Sequence, residues 1–115
     1  MPRYLISFDE GAMTFPEEDF ASVAEAAHAW VSDAMDAGVW VFGGGLLSHE
    51  EMRVVATDGT ITVAPYPEGK AYVGGMSIIE VPSLEEALEW AATLAVACRC
   101  AQDVREFMPD PAVGN

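Results

Sequence analysis

Two segments of this chain carry apolar residues at helical spacing, and the segments around them alternate like strands. That order limits the fold more than anything else in the sequence. Between Glu17 and Asp36, Phe20, Val23, Ala27, Trp30, Val31 and Ala34 fall on one helical stripe. Pro16 followed by Glu17, Glu18 and Asp19 suits a helix start, where negative charge meets the positive end of the dipole, and Gly38 suits its stop. The second helix opens at "PSLEEALEWAATLAVA", residues 82–97, where Ser83 and Glu86 make an S-x-x-E capping box. Leu84, Ala87, Leu88, Ala91 and Ala95 are expected to form its buried stripe, and Glu85, Glu86 and Glu89 its wet side.

The strands follow from period-two alternation and turn signals. "RYLISF", 3–8, points Tyr4, Ile6 and Phe8 one way and Leu5 and Ser7 the other. "VWVFGGGLL", 39–47, is expected to place Val39 and Val41 on one face and Trp40 and Phe42 on the other. "MRVVATDGTITVAP", 52–65, reads as a hairpin about the two-residue turn Asp58-Gly59. A proline- and glycine-rich loop, 65–75, leads to strand "MSIIEV", 76–81. A last strand, "AQDVREFM", 101–108, is followed by "PDPAVGN", expected to be a loose tail over 109–115. The chain thus reads as one domain, 1–108, in the order β-α-β-hairpin-β-α-β. Right-handed crossovers give an α+β fold: a ferredoxin-like antiparallel sheet with two helices on one face.

Two helices cover one face of such a sheet, yet these strands are apolar on both. An uncovered apolar face marks a partner site, and the economical partner is a second copy packed sheet on sheet. A homodimer is therefore expected; the monomeric alternative folds the hairpin over that face.

Charge excludes several functions. Nineteen acids against five bases leave a net charge of −14. Nucleic acid is not an expected partner, because phosphate binding needs clustered Lys and Arg, and an anionic membrane surface is disfavoured likewise. No apolar run approaches the ~20 residues of a membrane span. "MPRYLISFDEG" lacks the apolar core of a secretory signal, so the expected location is the cytoplasm. Cys98 and Cys100 form a C-x-C, neither a C-x-x-C redox motif nor a zinc pattern. They read as ordinary thiols, and neither a metal nor a cofactor is expected.

At "GGMSIIEVPSLEEALEWAA", 74–92, the sequence resembles the YCII-related proteins, whose larger bacterial branch is named for a DGPF tetrapeptide. Other matching parts are "RYLISFDE", "DAGVWVFGGGL" and "TDGTITV", and the resemblance spans nearly the whole chain. It implies a dimeric α+β barrel. It also implies, for the compact branch of the family, an acid–base pair of a helical histidine and an aspartate in the loop after strand two. His28 falls about one residue from that histidine position and is preceded by "AEAA" rather than the family's Arg-Pro. The loop here is "SHEE", so Glu50 or Glu51 stands nearest the aspartate. Where the branch carries DGPF, this chain has Ala64, Pro65, Tyr66 and Pro67.

On this reading His28, at the edge of the helix stripe with Glu25 three residues back and Ser32 four ahead, is the first catalytic candidate. Glu51 is the second. His49 reads as an exposed turn residue that with Glu50 and Glu51 could offer metal ligands, at no recognised spacing. The glycines fail as a phosphate loop: no lysine and no helix follow them. Glycine in a strand instead marks a bulge or a close backbone approach. Gly43 and Gly44, with Trp40 and Tyr4, are accordingly expected to wall a small pocket near His28. Three functions stay open: a small enzyme doing histidine-based acid–base chemistry on a small molecule; a ligand-binding or regulatory accessory protein, of the sigma-factor-associated type that the family resemblance suggests; and a structural dimer. A histidine–carboxylate contact in a pocket favours the first; an enclosed apolar pocket without converging polar groups favours the second.

Overall fold

The computed structural model describes residues 1–63 and 71–115. The Ala64–Pro67 segment and most of the expected proline-rich loop lie outside them. Strand β1 is Arg3–Asp9, helix α1 Phe20–Asp36, β2 Trp40–Gly45, β3 Arg53–Val55, β4 Ile61–Val63, β5 Val73–Glu80, helix α2 Leu84–Cys98 and β6 Asp103–Glu106. Four strands form one antiparallel sheet in the order β2-β5-β1-β6, with β3 and β4 a separate ribbon. The protein has the ferredoxin-like α+β architecture.

The core lies between the helices and one sheet face. Tyr4, Ile6 and Ile79 from the strands meet Trp30, Ala34, Ala87, Ala91 and Leu94 from the helices. Trp30 ties the layers together. Its ring meets Trp40 of β2 edge-on and Trp90 of α2 at 5.8 Å, and its Nε1–H donates to the Trp90 carbonyl and the Thr93 hydroxyl, each at 3.0 Å. Ser83 caps α2 by accepting from the Glu86 N–H. Arg99 ends it in the left-handed region and reaches Asp19, before α1, at 2.8 Å.

Strand β2 departs from simple alternation. Trp40 pairs with Ile79 but Phe42 pairs with Ile78, so a bulge lies between them. Trp40 and Phe42 therefore point to opposite faces, not to the same one: Trp40 enters the core, while Phe42 is 65% exposed on the open face. Just beyond the bulge, β2 runs very close to β5. A Cβ at Gly43 would sit 2.4 Å from the Met76 carbonyl oxygen and 2.8 Å from the Ser77 Cα. Side chains never tolerate such contacts with backbone, so only glycine fits. Gly44, one residue on, faces open space.

Other elements differ from the pattern read in the sequence. Helix α2 buries Ala87, Ala91, Leu94 and Cys98, so Leu84 and Leu88, expected in its buried stripe, lie about half exposed to one side of the face that meets the sheet. Residues 17–19 form a 3-10 turn ahead of α1. Strand β5 begins at Val73, inside the expected loop, because Val73 pairs with Asp9 and Gly75 with Phe8 and Gly45, with Gly74 skipped at a shift in register. The hairpin turns through Thr57, Asp58 and Gly59: Ala56 and Thr60 pair at its base, Asp58 accepts from the Thr60 N–H at 2.9 Å, and Gly59 takes φ +88°. This hairpin does not cover the open sheet face; Val55, Ile61 and Val63 are all exposed. At the C-terminus, Asp110 closes a 3-10 turn over Pro111–Val113 and exchanges backbone hydrogen bonds with Asn115.

Overpacking of this kind costs about 1–3 kcal/mol, so Gly43→Ala should lower unfolding stability by that much. Gly44→Ala should stay within about 0.5 kcal/mol. Urea melts of the two variants check this; equal effects would contradict the close approach at Gly43.

Candidate active site

Strands β1 and β2 run in the same direction and β5 runs against both, so the ends of β1 and β2 and the start of β5 meet at one edge of the sheet. Glycine makes the meeting possible. A Cβ at Gly74 would lie 2.9 Å from the Glu10 Cα and 3.0 Å from its nitrogen. With that space clear, the Glu10 N–H donates to the Tyr72 carbonyl at 2.7 Å, and the Leu46 N–H donates to the Gly74 carbonyl at 2.9 Å. A Cβ at Gly75 would strike the Phe8 ring, which lies across it. The chain leaving β2 then turns through a short 3-10 helix, His49–Glu51, in which Ser48 accepts from the Glu50 N–H.

This turn brings His49 onto Glu10. The His49 backbone N–H donates to one Glu10 oxygen at 3.0 Å, and its Nδ1 lies 2.8 Å from the other. The imidazole stacks on Tyr72, with ring centroids 4.6 Å apart and planes 17° apart. Clamped between a carboxylate and an aromatic ring, the imidazole has a fixed plane.

These contacts keep Glu10 ionised. Its carboxyl is held below the usual carboxylate range, first by the His49 backbone N–H, then by the His49 side chain and the Ser48 hydroxyl, against an opposing contribution from desolvation. An ionised carboxylate can only accept, so neutral His49 carries its proton on Nδ1 and leaves Nε2 as a bare acceptor.

Beside this pair lies a cavity of about 480 Å3, walled by Leu46, Leu47, Met52 and Val73, with His49, Tyr72, Ser48 and Glu51 as its polar members. A mostly apolar wall with a few polar groups is the ordinary make-up of a small-molecule site. Such an arrangement can hold a planar apolar molecule and take a proton from it.

Of the residues singled out in the sequence, Glu51 lines this cavity and His28, Tyr4, Trp40, Gly43 and Gly44 do not. His28 is exposed on α1. Tyr4 is core, 1% exposed, and burial followed by the nearby Glu106 charge pushes its phenol pKa up. Trp40 packs on Trp30, Gly43 lies under β5 and Gly44 is on the open face. Burial also raises the pKa of both thiols; Cys98 is buried and Cys100 half-buried. Among the described residues no group of three His, Cys, Asp or Glu side chains could hold a metal ion, and no helix is long and apolar enough to cross a membrane.

The sequence reading passed over Glu10 and Tyr72. The signal was present in the glycine pair 74–75, which leaves β5 bare where the end of β1 crosses it, and in the carboxylate of "FDEG" at that crossing.

No family model and no curated protein matches this chain. The fold has a solved counterpart. It is a 5-chloro-2-hydroxyhydroquinone dehydrochlorinase from Burkholderia phenoliruptrix AC1100, solved in complex with 2,5-dihydroxybenzoquinone. The two chains align over 97% of this one and 98% of that one, with a TM-score of 0.53 and 14% identity. At that identity the likeness concerns architecture.

Because the folded pKa of Glu10 is depressed, its contribution to stability is complete above the ordinary carboxylate pKa and is lost as pH falls through the folded value. Glu10→Gln should therefore melt below the native protein at neutral pH, with the gap closing in acid. Tm measured against pH checks this; a gap that persists unchanged in acid would show that Glu10 is not held as its ionised form.

Proposed function

We propose that this protein is a YCII-like small-molecule enzyme in which His49, oriented by Glu10, is the general base toward a hydroxylated aromatic bound in the cavity beside Tyr72. One observation carries the reading: the 2.8 Å contact between His49 Nδ1 and Glu10 at the mouth of an apolar cavity. A carboxylate on Nδ1 fixes the tautomer and steadies the imidazolium that forms when Nε2 takes a proton. Tyr72 and the apolar wall suit a flat substrate. Glu51, on the same wall, is within the site to accept from a substrate hydroxyl. This reading moves the base from the helix to the loop after strand two: Glu10 replaces the family's loop aspartate, and His49 replaces the helical histidine.

The enzyme is further proposed to work in the cytoplasm as a homodimer, closing an α+β barrel sheet on sheet. Leu5, Phe42, Met76 and Ile78 share the open face, and the hairpin leaves it uncovered. Nucleic acid and membrane are not proposed as partners, since the charge of −14 opposes both.

The test of the chemistry uses 5-chloro-2-hydroxyhydroquinone as probe and chloride release as readout. General-base assistance is worth about 10²–10⁴-fold, so His49→Ala should lose at least about a hundredfold of the rate and Glu10→Gln a smaller part of it. His28→Ala should leave the rate unchanged. Saturable binding without turnover would favour the accessory-protein reading, and loss on His28→Ala alone would return the base to α1. For the dimer, Phe42→Asp would bury an unpaired charge at the interface. Sedimentation equilibrium should show a native dimer and a variant shifted toward monomer; a native monomer at micromolar concentration would refute it.

A further inference from the structure

The larger cavity, about 610 Å3, lies away from His49, between α1 and α2. Its walls are Ala26, Ala29, Trp30 and Asp33 from α1 and Glu89, Trp90, Thr93 and Ala97 from α2. We propose that this groove is a binding site for an organic cation: an ammonium or guanidinium group on an apolar stem. The proposal does not depend on the His49 chemistry.

Three observations carry it. First, an accessible indole lines the groove: Trp90 is half-buried there, held at 87° to Trp30, which is 5% exposed, forms part of the floor and is pinned through its Nε1–H to α2. A cation is attracted to an indole face, and an alkyl stem packs on the same surface. Second, each helix adds one exposed carboxylate, Asp33 and Glu89, and neither is in an ion pair among the described residues. Third, the helices supply no permanent cation of their own. Neither "FASVAEAAHAWVSDAMD" nor "LEEALEWAATLAVAC" contains Lys or Arg, and Arg99, just beyond α2, is engaged by Asp19 at 2.8 Å. The small alanines leave the volume open. A hydrated metal ion suits these walls poorly, because it needs several oxygen ligands and the groove is mostly alanine and indole.

Butylguanidinium and its neutral isostere butylurea decide the matter. Both are titrated into the intact protein, following the Trp30 and Trp90 indole N–H resonances and the Ala26 and Ala29 methyl signals. Butylguanidinium should saturate these signals and bind about fivefold or more tightly than butylurea, the size expected of one cation–π contact and two partly screened carboxylates. In an Asp33→Asn, Glu89→Gln double variant with unchanged Tm, the preference should fall below about twofold. Equal binding of the two probes, shifts scattered over the acidic surface, or a preference that survives in the double variant would each overturn the proposal. A capped alanine peptide carrying one arginine is the third arm. Tighter binding of the peptide assigns the groove to a side chain of a partner protein, and tighter binding of butylguanidinium assigns it to a free small molecule; either supports the cation site.

Discussion

The close pass of β2 over β5 at Gly43 is the constraint on which the rest of the structure depends. With backbone atoms of Met76 and Ser77 inside the space a Cβ would need, the two strands are locked in one register. In that register a bulge follows Trp40. The bulge in turn sends Trp40 into the tryptophan cluster and Phe42 to the open face. Trp40 thus packs under the helices, while Phe42 is left exposed on the uncovered face. Gly44, next to Gly43, carries no such burden, though nothing in the sequence distinguishes the two.

The same economy builds the site. Three strand ends meet at one edge of the sheet, and Gly74 lets the backbone of Glu10 cross where any side chain would block it. The loop after β2 is then fastened by the Leu46 N–H on Gly74 and by His49 on Glu10. The Glu10–His49 pair is partly open to water, with side-chain exposures of 30% and 42%, so solvent screens it and its worth to stability is modest. Its value is geometric. Two hydrogen bonds and a stacked ring hold one imidazole in one orientation beside an apolar cavity, which is what proton transfer asks of a base.

Much of this fold was legible in the sequence because it rests on local rules. The stripe Val23–Trp30–Ala34, the Ser83 cap and the alternation of Tyr4 and Ile6 each follow from spacing, and each lies where expected. The faces of Trp40 and Phe42 were misread because a bulge breaks alternation, and that bulge shows only in the pairing with a strand more than thirty residues away. The site was less legible for the same reason. His49 looked like a solvated turn residue, and only the tertiary meeting of β1, β2 and β5 gives it Glu10 and Tyr72 as neighbours. His28, attractive beside Glu25 on a helical wheel, faces water once α1 is docked.

Glu10 fixes the protonation geometry of His49, and 15N resonances of the imidazole in mildly alkaline buffer report it directly. A proton on Nδ1 and a bare Nε2 are expected in the native protein, with a mixture of tautomers in Glu10→Gln. A native imidazole protonated on Nε2, or one unchanged by the substitution, would contradict it.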